Sequence, residues 1–221
     1  MIYTRAFVYL SSVVNKSTKF EGLLKLLKMR HSSFYTLLVL ETLLVFGSCV
    51  RFSMYSREAL RLHNKRRVQP LQLDQRLCID AQQHADRLAR EDGFIYHDNY
   101  ELSTKQQSEN LAISDWGGLS AEEAIKAWYD EKMTGAHCMG HYVAAQWRGS
   151  KKFCQVKAKS RTGTMYVVAR YYPGVGYSDR ATFWCNKRKA YEENIEPGFR
   201  LPTGCWNTQP INQRICEALL G

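Results

Sequence analysis

The sequence predicts an α+β domain in which helices cover an antiparallel sheet. Three observations predict it. Apolar residues recur at helical spacing through residues 74–93 and again from residue 120. The spacing gives way to strict alternation at Phe153, and a β-branched, aromatic run follows at 165–172. Helices that precede a hairpin in this order suit a sheet with a helical cover.

The first helix is expected from Asp74 to Gly93. Asp74 can accept from the free amides of the first turn. Leu77, Ala81, Ala85 and Leu88 then fall at i, i+4, i+8 and i+11, a single apolar stripe. Gly93 suits the left-handed stop. His84 borders the stripe and reads as a packing histidine.

A second helix starts at Ser120, where Ser120-Ala121-Glu122-Glu123 fits the reciprocal capping box. Ala124, Ala127 and Trp128 define its inward face. Glu131 lies three residues past Trp128, on or beside that face. An inward carboxylate is costly unless paired, so Glu131 is an ion-pair partner or a site residue.

A third helical stretch covers His137–Trp147. Gly140, Ala144 and Ala145 permit close packing there, and His141 shares their face. Phe153–Lys159 then sets Cys154, Val156 and Ala158 against Gln155, Lys157 and Lys159. After a turn at Ser160–Thr164, Met165–Tyr172 forms a second strand that stops at Pro173-Gly174. The pair reads as an antiparallel hairpin, polar on one face. Residues 174–221 read as loop-rich.

The chain has 221 residues, 45% of them apolar, and a net charge of +10. It can bury a core, which excludes a disordered chain, a collagen-like repeat and a polytopic membrane protein. The basic balance favours anionic surfaces. No nucleic-acid partner is expected: finger spacing, an RNP-like strand and a recognition-helix motif are all missing. Lys65-Arg66-Arg67 and Lys187-Arg188-Lys189 read as solvated surface.

The run Phe34–Val50 carries Glu41 as its one charge, follows Lys25, Lys28 and Arg30, and ends on Gly47-Ser48. It reads as a signal peptide over 29–48 that starts at Met29, with residues 1–28 an upstream extension. The run is shorter than the about 20 residues of a membrane span, and a mid-segment Glu is costly there. The competing readings are a signal anchor over 34–50 and an amphipathic basic helix at Phe20–Met29 in peripheral contact with a membrane. The domain is expected over 53–200, with a Cys-containing tail at 201–221.

A secretory route makes the seven cysteines disulfide candidates. Their connectivity is open. Cys49, at the processing boundary, reads as the odd one.

Several short motifs, in order, resemble the CAP superfamily (cysteine-rich secretory proteins, antigen 5 and pathogenesis-related proteins; the SCP domain). Leu62-His63-Asn64 before Leu71-Gln72-Leu73-Asp74 is similar to the family's opening. Ser108-Glu109-Asn110-Leu111-Ala112 resembles its "GENL" motif, and Ala127-Trp128-Tyr129-Asp130-Glu131 its "WY.E" motif. Gly140-His141-Tyr142 with Trp147 resembles "GHY.Q..W", and Val168–Gly174 the final strand. Tyr191–Pro197 is similar to the end of the Golgi-associated subgroup. The resemblance spans roughly residues 55–200.

It implies a three-layer α-β-α sandwich and a cleft with two His and two Glu, which map to His97, Glu109, Glu131 and His141. Two imidazoles and two carboxylates suit a divalent cation such as Zn²⁺, not needed for the fold. The alternative is a His–Glu network that only stabilises the fold. Ser108 stands where the family has Gly, and Val143-Ala144-Ala145 separates Tyr142 from Gln146. The family's "C.YDP.GN" end is Ala169–Gly176 here, without its Cys and Asn. Cys138 and Cys154 resemble its disulfide pattern best.

The expected function is that of a secreted, non-enzymatic binding module. It would take a lipid, a sterol or an extracellular protein in defence or signalling. Trp116, on the loop Ile113–Leu119, and Tyr142 are candidates for the lip of the ligand site. A second reading is a hydrolase, with Ser114, His97 and Glu109 as nucleophile, base and orienter. No G-x-S-x-G turn surrounds Ser114. A metal-assisted variant would use Glu109 or Glu131 as the base. A third reading is a structural domain tethered by residues 34–50.

Overall fold

The computed structural model describes residues 52–115, 118–205 and Cys216. The expected extension, signal peptide or anchor, Cys49 and Trp116 lie outside the described residues. The chain divides into two units, Met1–Val50 and Arg51–Gly221, and the second carries everything below.

Helix α1 (Met54–Asn64) starts at Ser53, whose hydroxyl accepts from the Ser56 amide at 3.0 Å. A two-residue strand β1 (Gln72–Leu73) leads into α2 (Gln75–Glu91). Asp74 caps α2 by accepting from the amides of Arg76 and Leu77 at 2.9 and 3.2 Å. The left-handed stop is Asp92 (φ 52°), one residue before the expected Gly93. Asp tolerates this conformation because its short side chain bonds locally, and here it takes the Thr162 hydroxyl at 2.6 Å.

A short helix α3 (Asn99–Thr104) is followed by β2 (Ser108–Ser114), a strand that periodicity does not predict. Helix α4 (Ala121–Thr134) opens with both halves of the Ser120–Glu123 capping box and stops at Gly135 (φ 68°). The expected helix over His137–Trp147 is broken. Ala136–Met139 forms a 3₁₀ turn, with left-handed φ at His137, Cys138 and Met139, before α5 (Gly140–Gln146). Strands β3 (Lys152–Lys159) and β4 (Met165–Tyr172) form the expected hairpin. Two helices, α6 (Arg180–Cys185) and α7 (Lys187–Asn194), occupy the segment read as loops.

The sheet order is β1-β3-β4-β2. All pairs are antiparallel except β1 with β3, so the sheet is mixed. The central β4 alternates between two buried faces, as period-two geometry requires. Met165, Val167, Ala169 and Tyr171 pack on α1, α4 and α5 through Leu62, Ile125, Trp128 and Ala145. Tyr166 and Val168 pack on α2 through Leu77, Ala81, Ala85 and Leu88. The result is three layers, α-β-α. The polar face expected of the hairpin survives only at Lys157 and Lys159, which are exposed. Gln155 is wholly buried under α1, where its amide donates to the Tyr55 hydroxyl.

Three disulfides join the described cysteines. Cys78–Cys154 ties α2 to β3, Cys138–Cys205 ties the 3₁₀ turn to the C-terminal segment, and Cys185–Cys216 ties down α6. A third apolar cluster, with Tyr142, Val143 and Trp147 of α5 against Ala190, Ile195 and Phe199, seats that segment on the domain. Among the described residues no helix is long and apolar enough to cross a membrane.

Candidate functional site

Glu109 is the second residue of β2, directly opposite Arg170 of β4. Its side chain is fully buried, and its Oε2 meets Arg170 Nε at 2.6 Å. Oε1 faces His97 Nδ1 at 2.9 Å and accepts from the Asp98 amide at 3.4 Å. His84 of α2 is also buried here, with Nε2 3.7 Å from the same Oε1 and 2.9 Å from the Tyr96 carbonyl. His84 therefore packs as expected, but within a charge network. Arg87 closes that network through Asp98. Burial pushes the Asp98 carboxyl up, yet the Arg87 hydrogen bond prevails and holds it below the usual carboxylate range.

Glu131 sits on the inner face of α4, only 4% exposed. Its Oε1 faces His141 Nδ1 at 2.6 Å. Its Oε2 accepts from the backbone amides of His141 and Tyr142 at 2.9 and 3.2 Å. These amides belong to the first turn of α5, whose N-cap Met139 supplies no side-chain acceptor. Glu131 thus caps α5 from the neighbouring helix. A third link comes from β2, where Asn110 donates to the His141 carbonyl at 2.9 Å.

The expected tetrad is therefore two His–Glu pairs. Each imidazole uses Nδ1 on a carboxylate, which fixes its orientation and leaves Nε2 for a ligand. All four carboxylate oxygens are engaged. Among the described residues no group of three or more His, Cys, Asp and Glu is arranged to hold a metal as it stands.

One cavity of about 480 Å³ joins the pairs. Its polar lining residues include His97, Glu109, His137 and His141. Val143, Ala144, Val175, Tyr191 and Leu201 also line it, and the Cys138–Cys205 bridge forms part of the wall. This volume lies in the range of small-molecule sites.

The remaining candidates lie elsewhere. Tyr142 is 5% exposed, stacked on Phe199 and edge-on to Tyr129, so it is core and not lip. Ser114 pairs with Met165 at the far end of β2, five residues from Glu109. That is about 17 Å along an extended strand. The His97–Glu109 pair has the base-and-orienter geometry, but Ser114 is not beside it. Sequence reasoning missed His137, Arg170 and Tyr191. A charged Arg170 inside an apolar strand was the available signal for a buried acid partner, and the i, i+4 spacing of His137 and His141 was the signal for a second cleft imidazole.

The profile of the cysteine-rich secretory protein family (CAP) matches residues 55–171. Golgi-associated plant pathogenesis-related protein 1 of Homo sapiens is 32% identical over 154 residues, covering 65% of this chain and 93% of that protein. Pathogenesis-related protein 1C of Nicotiana tabacum is 27% identical over 155 residues, covering 64% of this chain and 89% of that protein. Among solved structures, BmVAL-1 aligns with a TM-score of 0.47 at 16% identity over 57% of this chain and 81% of that one. NaASP2 with Zn²⁺ aligns with a TM-score of 0.43 at 19% identity over 57% and 83%.

Proposed function

The chain belongs to the cysteine-rich secretory protein (CAP) family, and from that membership we propose that it is a secreted binding module whose cleft takes a divalent cation and, beside it, an amphipathic lipid or sterol. The observation that carries this reading is the mixed lining of the cavity. It presents two imidazoles fixed through Nδ1 by Glu109 and Glu131, and Val143, Val175 and Leu201 line it as well. The donor chemistry fits a cation such as Zn²⁺: His97 and His141 would hold it through Nε2, and the glutamates would act as orienters. Bound there, the cation supplies a positive charge that would anchor the polar head of a ligand. Three disulfides suit an oxidising compartment. An extracellular protein partner is the alternative occupant of the same surface.

Binding is favoured over hydrolysis for a geometric reason. Ser114 is remote from the imidazoles, and the carboxylates are committed to His97, His141, Arg170 and three backbone amides.

The test uses protein secreted from eukaryotic cells. Intact mass reports its N-terminus and disulfides, chelator competition reports Zn²⁺, and titration with a fluorescent fatty acid and a fluorescent sterol reports the apolar site. The reading expects one Zn²⁺ and saturable probe binding that Leu201→Glu weakens at least tenfold. A protein that stays in the cell, or that binds neither Zn²⁺ nor probe, would overturn it.

A further inference from the structure

We propose that His137 is a third imidazole donor of this cleft, so that His97, His137 and His141 together make an all-nitrogen site for Zn²⁺ or Cu²⁺ in preference to Ca²⁺ or Mg²⁺. The inference rests on reading the cleft as a cation site, and adds a ligand and a metal class to it.

His137 lines the same cavity as His97 and His141. Its ring centroid is 5.5 Å from that of His141, at an interplanar angle of 71°. Two imidazoles bound to one Zn²⁺ at about 2.0–2.1 Å per nitrogen have ring centres about 5 Å apart in tetrahedral geometry. The separation of this one pair therefore suits a shared ion. The His137 side chain is exposed and, among the described residues, makes no hydrogen bond or ion pair; the His141 ring is its one ring contact. The three imidazoles do not yet converge on one point.

The backbone holds His137 at the cleft. His137, Cys138 and Met139 have φ of 48°, 53° and 56°. None is glycine, and the left-handed conformation is unfavourable for each of them. The surroundings impose the conformation: Cys138 is bridged to Cys205 and Met139 is buried. Backbone held in a sparsely populated region against its own preference is a feature of ligand clamps.

Metal class follows from the donors. Glu109 and Glu131 have no free oxygen to offer. Ca²⁺ needs six to eight oxygen ligands, and Mg²⁺ also prefers oxygen. Imidazole nitrogens select Zn²⁺, Cu²⁺ and Ni²⁺.

The experiment measures Zn²⁺ affinity of the full chain by competition with a chromophoric chelator, and the visible spectrum of the Co²⁺-substituted protein. His137→Ala should weaken Zn²⁺ at least tenfold and change the Co²⁺ spectrum, while thermal unfolding without metal stays within 2 °C of wild type. Unchanged Zn²⁺ affinity in His137→Ala, alongside loss in His97→Ala and His141→Ala, overturns the third donor and leaves the cation reading standing. A wild-type chain that binds no Zn²⁺ overturns both. Displacement of Zn²⁺ by millimolar Ca²⁺ overturns the all-nitrogen assignment.

Discussion

Glu109 and Arg170 face each other directly across β2 and β4, with 2.6 Å between Oε2 and Nε and with side chains 0% and 1% exposed. A buried charge pair of this kind adds little net stability over an apolar pair, but breaking it is costly. Its use here is positional. Arg170 holds Glu109, and Glu109 holds His97. Arg170 also donates to Gln107 at 3.1 Å.

Arg170→Met should therefore destabilise the domain by about 3–5 kcal/mol in urea unfolding, because Glu109 is left buried and uncompensated. Adding Glu109→Gln should recover much of that loss. If the double variant is as unstable as the single one, Arg170 acts by packing and the charge argument fails.

His63 gives the domain an acid limit. It is wholly buried, with its ring 4.7 Å from Phe153 and within 3.4 and 3.3 Å of the Tyr129 and Tyr171 hydroxyls. Burial, reinforced by Arg67 and Arg66, pushes its pKa down from 6.5 to about 3. Below pH 6.5 the unfolded chain takes up this proton and the folded chain does not, so stability falls as pH drops through this window. One such proton contributes at most about 1.4 kcal/mol per pH unit. Urea midpoints between pH 7.5 and 4.5 should show this slope and His63→Gln should reduce it by about that amount. Equal slopes in the two proteins would remove His63 as the cause.

The two disulfides nearest the sheet and the cleft should differ in access. Cys154 is completely buried, whereas Cys138 is exposed. Thiol exchange depends on reaching a sulfur. Graded reduction followed by alkylation and peptide mass mapping should label Cys138 and Cys205 before Cys78 and Cys154. Removing Cys78–Cys154 by paired Ala substitution should cost about 2–5 kcal/mol. Labelling in the reverse order would contradict the burial argument.

Local signals made some elements legible and long-range ones hid others. Asp74 and Ser120 announce α2 and α4 because a cap and an apolar stripe are both local. Strand β2 was hidden because it begins Ser108-Glu109-Asn110, polar residues that are satisfied by Arg170, His141 and Tyr171 from distant segments. The caps Asp179 and Asn186 did signal α6 and α7, but Gly and Pro nearby masked them. Glu131 was legible as an inward carboxylate needing a partner. The break before α5 was not, since its left-handed residues are His, Cys and Met and no glycine marks them. Tyr142 was misplaced at the lip because an amphipathic aromatic after a cleft histidine fits core and surface equally well in sequence.

Glu131 separates structure from ligand chemistry in one pair of variants. Its Oε2 caps α5 and its Oε1 orients His141. Glu131→Ala removes both, leaving one buried and one part-buried amide without an acceptor, and should cost about 3 kcal/mol in urea unfolding. Glu131→Gln keeps a carbonyl oxygen for the amides and should cost only about 1 kcal/mol. Its new amide group, however, is a donor facing His141 Nδ1. The imidazole then favours the tautomer with its proton on Nε2, the nitrogen the proposed cation site requires to be bare. Zn²⁺ affinity should fall 10–100-fold in Glu131→Gln although the fold is retained. Full Zn²⁺ affinity in a folded Glu131→Gln protein would show that His141 does not depend on Glu131 for its orientation.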